Sequence, residues 1–151
     1  MSYREQMQRI ANEYMDSGQP WPATARQIAA WAVRSGRWKP QPESLIAQCA
    51  EELGRAMGEE YVKDPQGRSV RAKHAIRVTK NGQQRWLWDD IRVAKRSHML
   101  IAFRLRRNQI VGDCKQLKCD VDSYNENKCP RDPIQLVFDF RNDLEEAAQA
   151  V

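Results

Sequence analysis

The sequence lacks any long apolar run, and this absence argues against a membrane-spanning protein. No segment approaches the roughly 18 consecutive apolar residues that a membrane-spanning helix needs. The polar start MSYREQMQRI also lacks the apolar segment of a secretory signal. We therefore expect a cytoplasmic protein that has no membrane partner, and whose four cysteines (Cys49, Cys114, Cys119 and Cys129) stay reduced.

The motifs of cofactor and metal chemistry are equally scarce. The chain has two histidines, His74 and His98, and no glycine-rich loop of the phosphate-binding kinds. The cysteines form no C-x-x-C pair, and the acids of DVDSYNEN (120–127) lack the third oxygen ligand and the glycine of a calcium loop. Asp89 and Asp90 lack a convergent partner for a nuclease. We expect no metal, no cofactor and no enzymatic activity.

The charge is unevenly distributed along the chain. Residues 62–107 carry 13 basic and 3 acidic side chains, whereas residues 1–61 carry 7 and 8, and residues 108–151 carry 5 and 9. The middle third therefore has a net charge of +10 between two weakly acidic segments. Such a block indicates a surface for a polyanion, and the alternative is a solvated basic face.

Three helices are predicted before the basic block. Apolar spacing indicates the first from Tyr3 to Ser17, and a Thr24–Gln27 capping box begins the second, which ends near Arg34. The third spans about 42–58, with Pro42 in its first turn. Its predicted buried stripe is Leu45, Cys49, Leu53 and Ala56.

The stretch RVTKNGQQRWLW (77–88) predicts a β-hairpin inside the basic block. Asn81-Gly82 suits a type I′ turn, whose two central residues need positive φ. A two-residue loop would place Lys80 opposite Gln83, and Arg77 opposite Trp86 as a cation–π pair. Ile76, Val78 and Leu87 would then share a face suited to the core, with Arg77, Thr79, Trp86 and Trp88 on the other. The alternative to a nucleic-acid role is a hairpin that covers the core and packs its tryptophans on the next helix.

Helix, extended link, helix, turn, helix and basic hairpin follow one another over about residues 3–90. This order resembles the winged helix-turn-helix class of DNA-binding domains, on element order and pattern rather than a diagnostic motif. The resemblance implies a mainly α fold with a β-hairpin wing that binds double-stranded DNA as a transcriptional regulator. The implied DNA-binding residues are Ser44, Gln48, Glu51 and Arg55 at base edges, and Arg71, Lys73, Arg77, Lys80, Asn81, Gln83 and Arg85 on the hairpin side.

A long helix is predicted after the hairpin, over residues 92–127, following a winged domain at 1–91. Its apolar residues alternate in steps of three and four once Arg107 fills one gap, as in a coiled coil. We expect this stripe to join a homodimer; the alternative is packing on its own domain. Gly112 would bend or split the helix, and the basic side chains before it would extend the footprint. The predicted dimerisation residues are Leu100, Phe103, Ile110, Cys114, Leu117, Val121 and Tyr124.

The last segment, 128–151, is predicted to contain a strand at Ile134–Phe140, where apolar side chains alternate, and then a short helix or frayed end. That strand would pair with the wing sheet or with a second subunit.

Two rival functions stay open. Glu43, Glu51 and Glu52 on the third helix would weaken phosphate contacts, which favours a protein–protein adaptor that uses this helix or the 134–140 strand. RNA is the other candidate polymer for a basic winged domain.

Overall fold

The computed structural model describes residues 2–40 and 44–149. The described chain is mainly helical, with helices α1 (Tyr3–Asp16), α2 (Ala25–Arg34), α3 (Leu45–Gly58), α4 (Arg96–Lys128) and α5 (Arg141–Gln149). Its strands are β1 (Tyr61–Lys63), β2 (Ser69–Arg71), β3 (Lys73–Lys80) and β4 (Gln83–Asp90). This confirms the mainly α class with an antiparallel hairpin. The predicted positions of Pro42 and Glu43 lie outside the described residues.

The chain divides into two compact units, one up to Leu53 and the other from Gly54 onward. The division falls inside α3. The winged domain predicted for 1–91 would span it, and that assignment stays a prediction.

The first unit is organised by α1 and α2. Ser2 and Thr24 each begin a helix with a reciprocal capping box, which confirms the prediction at Thr24–Gln27. Tyr14 is buried and its ring meets Trp31 edge-on at 5.4 Å, while Ile10 and Ala32 complete the small core.

The predicted buried stripe of α3 is wrong in the described structure. Leu45, Cys49, Leu53 and Ala56 are all exposed, and α3 has no buried residue. An amphipathic pattern needs a partner to cover it, and the helix makes no extensive contact with another described element.

The second unit contains two hairpins, β1–β2 and β3–β4. Tyr61 faces Arg71 across β1 and β2, and the turn is closed by Asp64, whose backbone N–H donates to the Arg68 carbonyl at 2.9 Å. Ala72, completely buried, joins this hairpin to the next one: its N–H donates to Glu60 and its carbonyl accepts from Ile91.

The β3–β4 hairpin packs its base on the start of α4. His74 and Ile76 are buried, His74 meets the Phe103 ring edge-on at 5.4 Å, and Ala102 is buried on the helix side. The covered face is therefore the one that carries His74 and Ile76.

Two predictions about the faces of this hairpin need correction. Leu87 was assigned to the core face but is 52% exposed, because α4 packs mainly on β3, which carries the opposite residue Ile76, rather than on β4. The alternative, in which both tryptophans pack on the following helix, does not hold for Trp86, which is exposed, while Trp88 is half-buried and lies beside Gly54 of α3.

Helix α4 is continuous through Gly112 and ends at Cys129, which adopts a left-handed conformation. It begins at Arg96, four residues later than predicted.

The predicted strand at Ile134–Phe140 is wrong: the segment has no regular secondary structure and pairs with no described strand. Its anchor is instead the side chain of Asn125, which donates to the Ile134 carbonyl at 2.8 Å and accepts from the Ile134 N–H at 3.1 Å. One side-chain amide thus makes the two backbone hydrogen bonds that a neighbouring strand would make. The helix expected after it is α5.

No helix in the described part of the chain is both long and apolar enough to cross a membrane.

Candidate nucleic-acid interface

The turn of the β3–β4 hairpin has the predicted geometry. Asn81 and Gly82 have φ values of 52° and 76°, and the register places Lys80 opposite Gln83, Val78 opposite Arg85 and Arg77 opposite Trp86. Positive φ at both central residues is the requirement of a type I′ turn. Sequence reasoning therefore identified both the turn and the register of this element.

The far end of the hairpin, residues 77–86, carries cations on both of its faces. We call this segment the hairpin tip. Lys80 and Arg85 lie on the face whose base is buried against α4, while Arg77 lies on the opposite face with its guanidinium 4.9 Å from the centre of the Trp86 ring. All tip residues except the half-buried Val78 are exposed. The tip therefore projects from the core as a basic and aromatic finger.

No carboxylate of the described residues pairs with the cations of the hairpin tip. Arg85 donates a hydrogen bond to the Gln83 amide oxygen at 3.0 Å, and Arg77 stacks on Trp86. Together with Asn81, the side chains of Lys80, Gln83 and Arg85 line a shallow polar recess. The charge of the tip is thus uncompensated by acids and open to solvent.

The acids that form ion pairs with the basic block do so away from the hairpin tip. Asp90 accepts from Arg92 at 2.7 Å and from Lys73 at 3.2 Å, and Lys73 also donates to Glu60 at 2.9 Å. Hydrogen bonds from Arg92, then from Lys73, hold the pKa of Asp90 well below its ordinary value, and bonds to Glu60 and Asp90 raise the pKa of Lys73. Lys73, a predicted phosphate contact, is therefore shared by two carboxylates at the base of the hairpin.

Asp64 is the other described acid of the basic block (residues 62–107) that pairs with a cation. It pairs with Arg68 at 2.7 Å and also accepts from the backbone N–H groups of Gln66 and Arg68. Burial tends to raise the pKa of Asp64, but these hydrogen bonds outweigh burial and lower it. Asp64 therefore closes the first hairpin and compensates Arg68 alone.

A second group of basic side chains lies on β2 and α4. Arg71 lies within 3.4 Å of the Tyr61 hydroxyl, donating from Nε, and Arg106 of α4 is half-buried. Burial first, and then the charge of Arg71, lower the pKa of Arg106. No carboxylate of the described residues is bonded to either guanidinium. Sequence reasoning counted both arginines as basic but missed Tyr61; the DPQG turn at 64–67 was the signal for the hairpin that positions it.

The other predicted base contacts lie on a different element. Ser44, Gln48 and Glu51 belong to the first unit, and Arg55 belongs to the second, with α3 passing through the division. The hairpin thus brings together Arg77, Lys80, Asn81, Gln83 and Arg85, with Lys73 at its base and Arg71 on β2. The role of the α3 residues stays a prediction.

The predicted dimerisation stripe lies along one continuous helix. Phe103, Ile110, Leu117 and Tyr124 are 46–55% exposed and spaced by seven residues. Leu100, Cys114 and Val121, the alternate members, are half-buried. His98 and Ala102 pack α4 on β3, and Phe103 is the stripe residue that contacts this strand, through the His74 ring. Ile110, Leu117 and Tyr124 remain about half exposed.

Among the described residues, no group of three or more histidine, cysteine, aspartate or glutamate side chains is placed to hold a metal ion, and the four cysteines are free thiols. Comparison with known proteins found no matching family model, no similar curated protein and no similar solved structure. The geometry and charge of this chain are therefore the only basis for its function.

Proposed function

We propose that this protein binds double-stranded DNA through the hairpin tip and acts as a homodimeric transcriptional regulator. The observation that carries the proposal is the separation of charge along the hairpin. Acids compensate Lys73 and Arg92 at its base, whereas Arg77, Lys80 and Arg85 extend beyond the reach of any described carboxylate.

Uncompensated cations on a projecting element suit phosphate contacts. DNA presents a dense row of phosphates, and each contact with Lys or Arg releases condensed counterions. Arg77, Lys80 and Arg85 would supply such contacts, while the Asn81 and Gln83 amides would bond to phosphates or to base edges in the minor groove. Arg71 and Arg106, also without a carboxylate, would extend the same footprint.

Sequence preference would come from the α3 residues. Gln48 has the amide that pairs with adenine, and Glu51 can accept from the cytosine amino group. Gln48 and Glu51 are both exposed, as contacts with base edges require. Contacts of this kind would be added to the phosphate contacts of the hairpin.

The test is the double variant Lys80→Ala/Arg85→Ala in a fluorescence anisotropy titration with labelled duplex DNA. We expect weaker binding and a salt slope that falls by about two, because each phosphate contact contributes roughly 0.9 to the slope. The matched control is Lys115→Ala/Lys118→Ala on α4, which removes the same charge away from the hairpin. An unchanged affinity and slope in the hairpin variant would overturn the proposal.

One observation favours a protein–protein adaptor as the second candidate. Leu45, Ile46 and Leu53 of α3 are exposed beside Glu51 and Glu52, which is the composition of a protein-binding helix rather than of a phosphate contact. An adaptor would show a weak dependence of function on the hairpin charges.

A further inference from the structure

The partly exposed stripe of α4 forms a regular heptad seam. With Leu100 at position a, the a positions are Leu100, Arg107, Cys114 and Val121, and the d positions are Phe103, Ile110, Leu117 and Tyr124. A seam in which every third and fourth residue is apolar packs against another helix that has the same spacing. A second copy of α4 has that spacing by necessity.

Arg107 is the one charged residue of the seam. Its surroundings differ between a parallel and an antiparallel pair of α4 helices. In a parallel dimer in register, Arg107 meets Arg107 of the other copy inside the contact. The whole first half of the helix, 96–112, would also lie beside its own copy, and it carries four arginines and no acid. Like charges held side by side destabilise helix pairs.

An antiparallel arrangement centred on Gly112 removes this conflict. Every a position then faces a d position of the other copy: Leu100 faces Tyr124, Phe103 faces Val121, Arg107 faces Leu117, and Ile110 faces Cys114. Gly112 itself stands at position f, on the side of α4 away from the seam, so it marks the centre of the alignment and takes no part in the contact. The complete seam is thus self-complementary in this one alignment.

The charges that flank the seam fit the same alignment. Arg106 would lie near Asp120 of the other copy, and the Arg107 guanidinium would lie between Asp113 and Asp120 on either side of Leu117. The half 113–128 carries three basic and four acidic side chains, in contrast to the four arginines of the first half. The arginine-rich half of each helix therefore faces the more acidic half of the other, at the cost of one Asp113–Asp113 contact near the centre and of two contacts between Arg104 and Lys118 of the other copy.

We infer that two copies of this chain pair through antiparallel α4 helices about Gly112. Each hairpin packs on α4 around Leu100, between His98 and Ala102, and in the pair this level faces residue 124 of the other copy. Twenty-four residues of helix separate the two levels, which is about 36 Å at 1.5 Å per residue.

This spacing deepens the proposed function and rests on it. One turn of B-DNA measures about 34–36 Å, which is the half-site spacing that dimeric helix-turn-helix proteins use. The pair therefore holds the bases of its two basic hairpins about one DNA turn apart along α4, and we expect a target of two half-sites about ten base pairs apart.

The pairing is tested without DNA by disulfide trapping in the full chain. The background replaces Cys49, Cys119 and Cys129 with Ser and Cys114 with Ala. Leu100→Cys together with Tyr124→Cys should form a covalent dimer under mild oxidation, since facing Cα atoms at a seam fall within disulfide range. Either single variant should stay monomeric on a non-reducing gel, because its two thiols would lie about 36 Å apart.

The matched control is Asn108→Cys/Gln116→Cys, which stands at equivalent levels about Gly112 but off the seam, and it should form no dimer. Circular dichroism must show unchanged helix content in every variant. Crosslinking of a single variant would show the parallel pair and overturn the inference. A double variant that stays folded and monomeric would overturn it as well.

The spacing is tested with the oxidised Leu100→Cys/Tyr124→Cys dimer on duplexes of about 20 and about 10 base pairs. We expect a salt slope close to twice as large on the longer duplex, since about 34 Å of DNA is too short to engage both hairpins. Equal slopes would contradict the spacing while leaving the pairing intact. Trapping of the dimer with no binding to either duplex would contradict the proposed function instead.

Discussion

The imidazole Nε2 of His98 lies 2.8 Å from the backbone carbonyl oxygen of His74 and fixes α4 to the first strand of the basic hairpin. The Nε2 of His74 in turn lies 2.8 Å from the carbonyl oxygen of Arg71. Since carbonyl oxygens only accept, both imidazoles carry their proton on Nε2, which leaves Nδ1 of His74 as a buried atom without a hydrogen-bond partner. Two buried histidines thus link β2, β3 and α4.

His98→Ala should destabilise the protein strongly. The change removes a buried ring and leaves the His74 carbonyl without this bond, so we expect a loss of roughly 2–4 kcal/mol in the free energy of unfolding. Asn108→Ala, at an exposed position of the same helix, is the control and should change it by less than about 0.5 kcal/mol. Chemical denaturation followed by tryptophan fluorescence gives both values, and equal stabilities would refute the anchoring role.

Asp90 should make the stability of the hairpin base depend on pH. Its pKa is lowered in the folded state by Arg92 and Lys73, so its contribution is complete above the unfolded carboxyl value of about 4 and is lost as the pH falls through the lower folded value. We therefore expect Asp90→Asn to be less stable than the wild type at pH 7, with the difference shrinking below about pH 4. A difference that stays constant from pH 7 to pH 2.5 would contradict the assignment.

Asn125 should hold the segment 134–140. Asn125→Ala removes both of its hydrogen bonds to Ile134, and no described strand replaces them. We expect faster hydrogen exchange and faster proteolysis in that segment. The matched control is Asn127→Ala, whose side chain bonds only to Ser123 within α4. Equal protection of the segment in both variants would mean that other contacts hold it.

Two glycines should respond to alanine with opposite signs. Gly82 has a φ of 76° in the hairpin turn, so Gly82→Ala should cost on the order of 1 kcal/mol. Gly112 lies inside α4 with open space around its Cβ position, so Gly112→Ala should stabilise the protein by up to about 1 kcal/mol. Thermal unfolding of the two variants measures this, and a stabilising Gly82→Ala would rule out the positive-φ turn.

Local signals in the sequence were sufficient for the parts of the fold that depend on neighbouring residues. The capping box at Thr24, the Asn81-Gly82 turn and the register around it depend on contacts within a few residues, and all were predicted correctly. The Arg77–Trp86 pair followed from the register. The tip of the candidate site was predictable for this reason.

The errors concern partners that are distant in the sequence. Periodicity identified apolar faces on α3 and on 134–140 but did not show what would cover them: α3 stays exposed, and a single asparagine replaces the strand expected beside Ile134. Lys73 is a further example. Its positive charge follows from the sequence, but its ion pairs with Glu60 and Asp90 depend on the folded geometry and were not predicted.

DNA binding by this protein should be measured first, by fluorescence anisotropy of the wild-type chain with a labelled random-sequence duplex at two salt concentrations. We predict binding that weakens steeply as salt rises, because phosphate contacts by the uncompensated cations of the hairpin tip release counterions. Absence of binding even at low salt would show that the hairpin tip does not bind DNA.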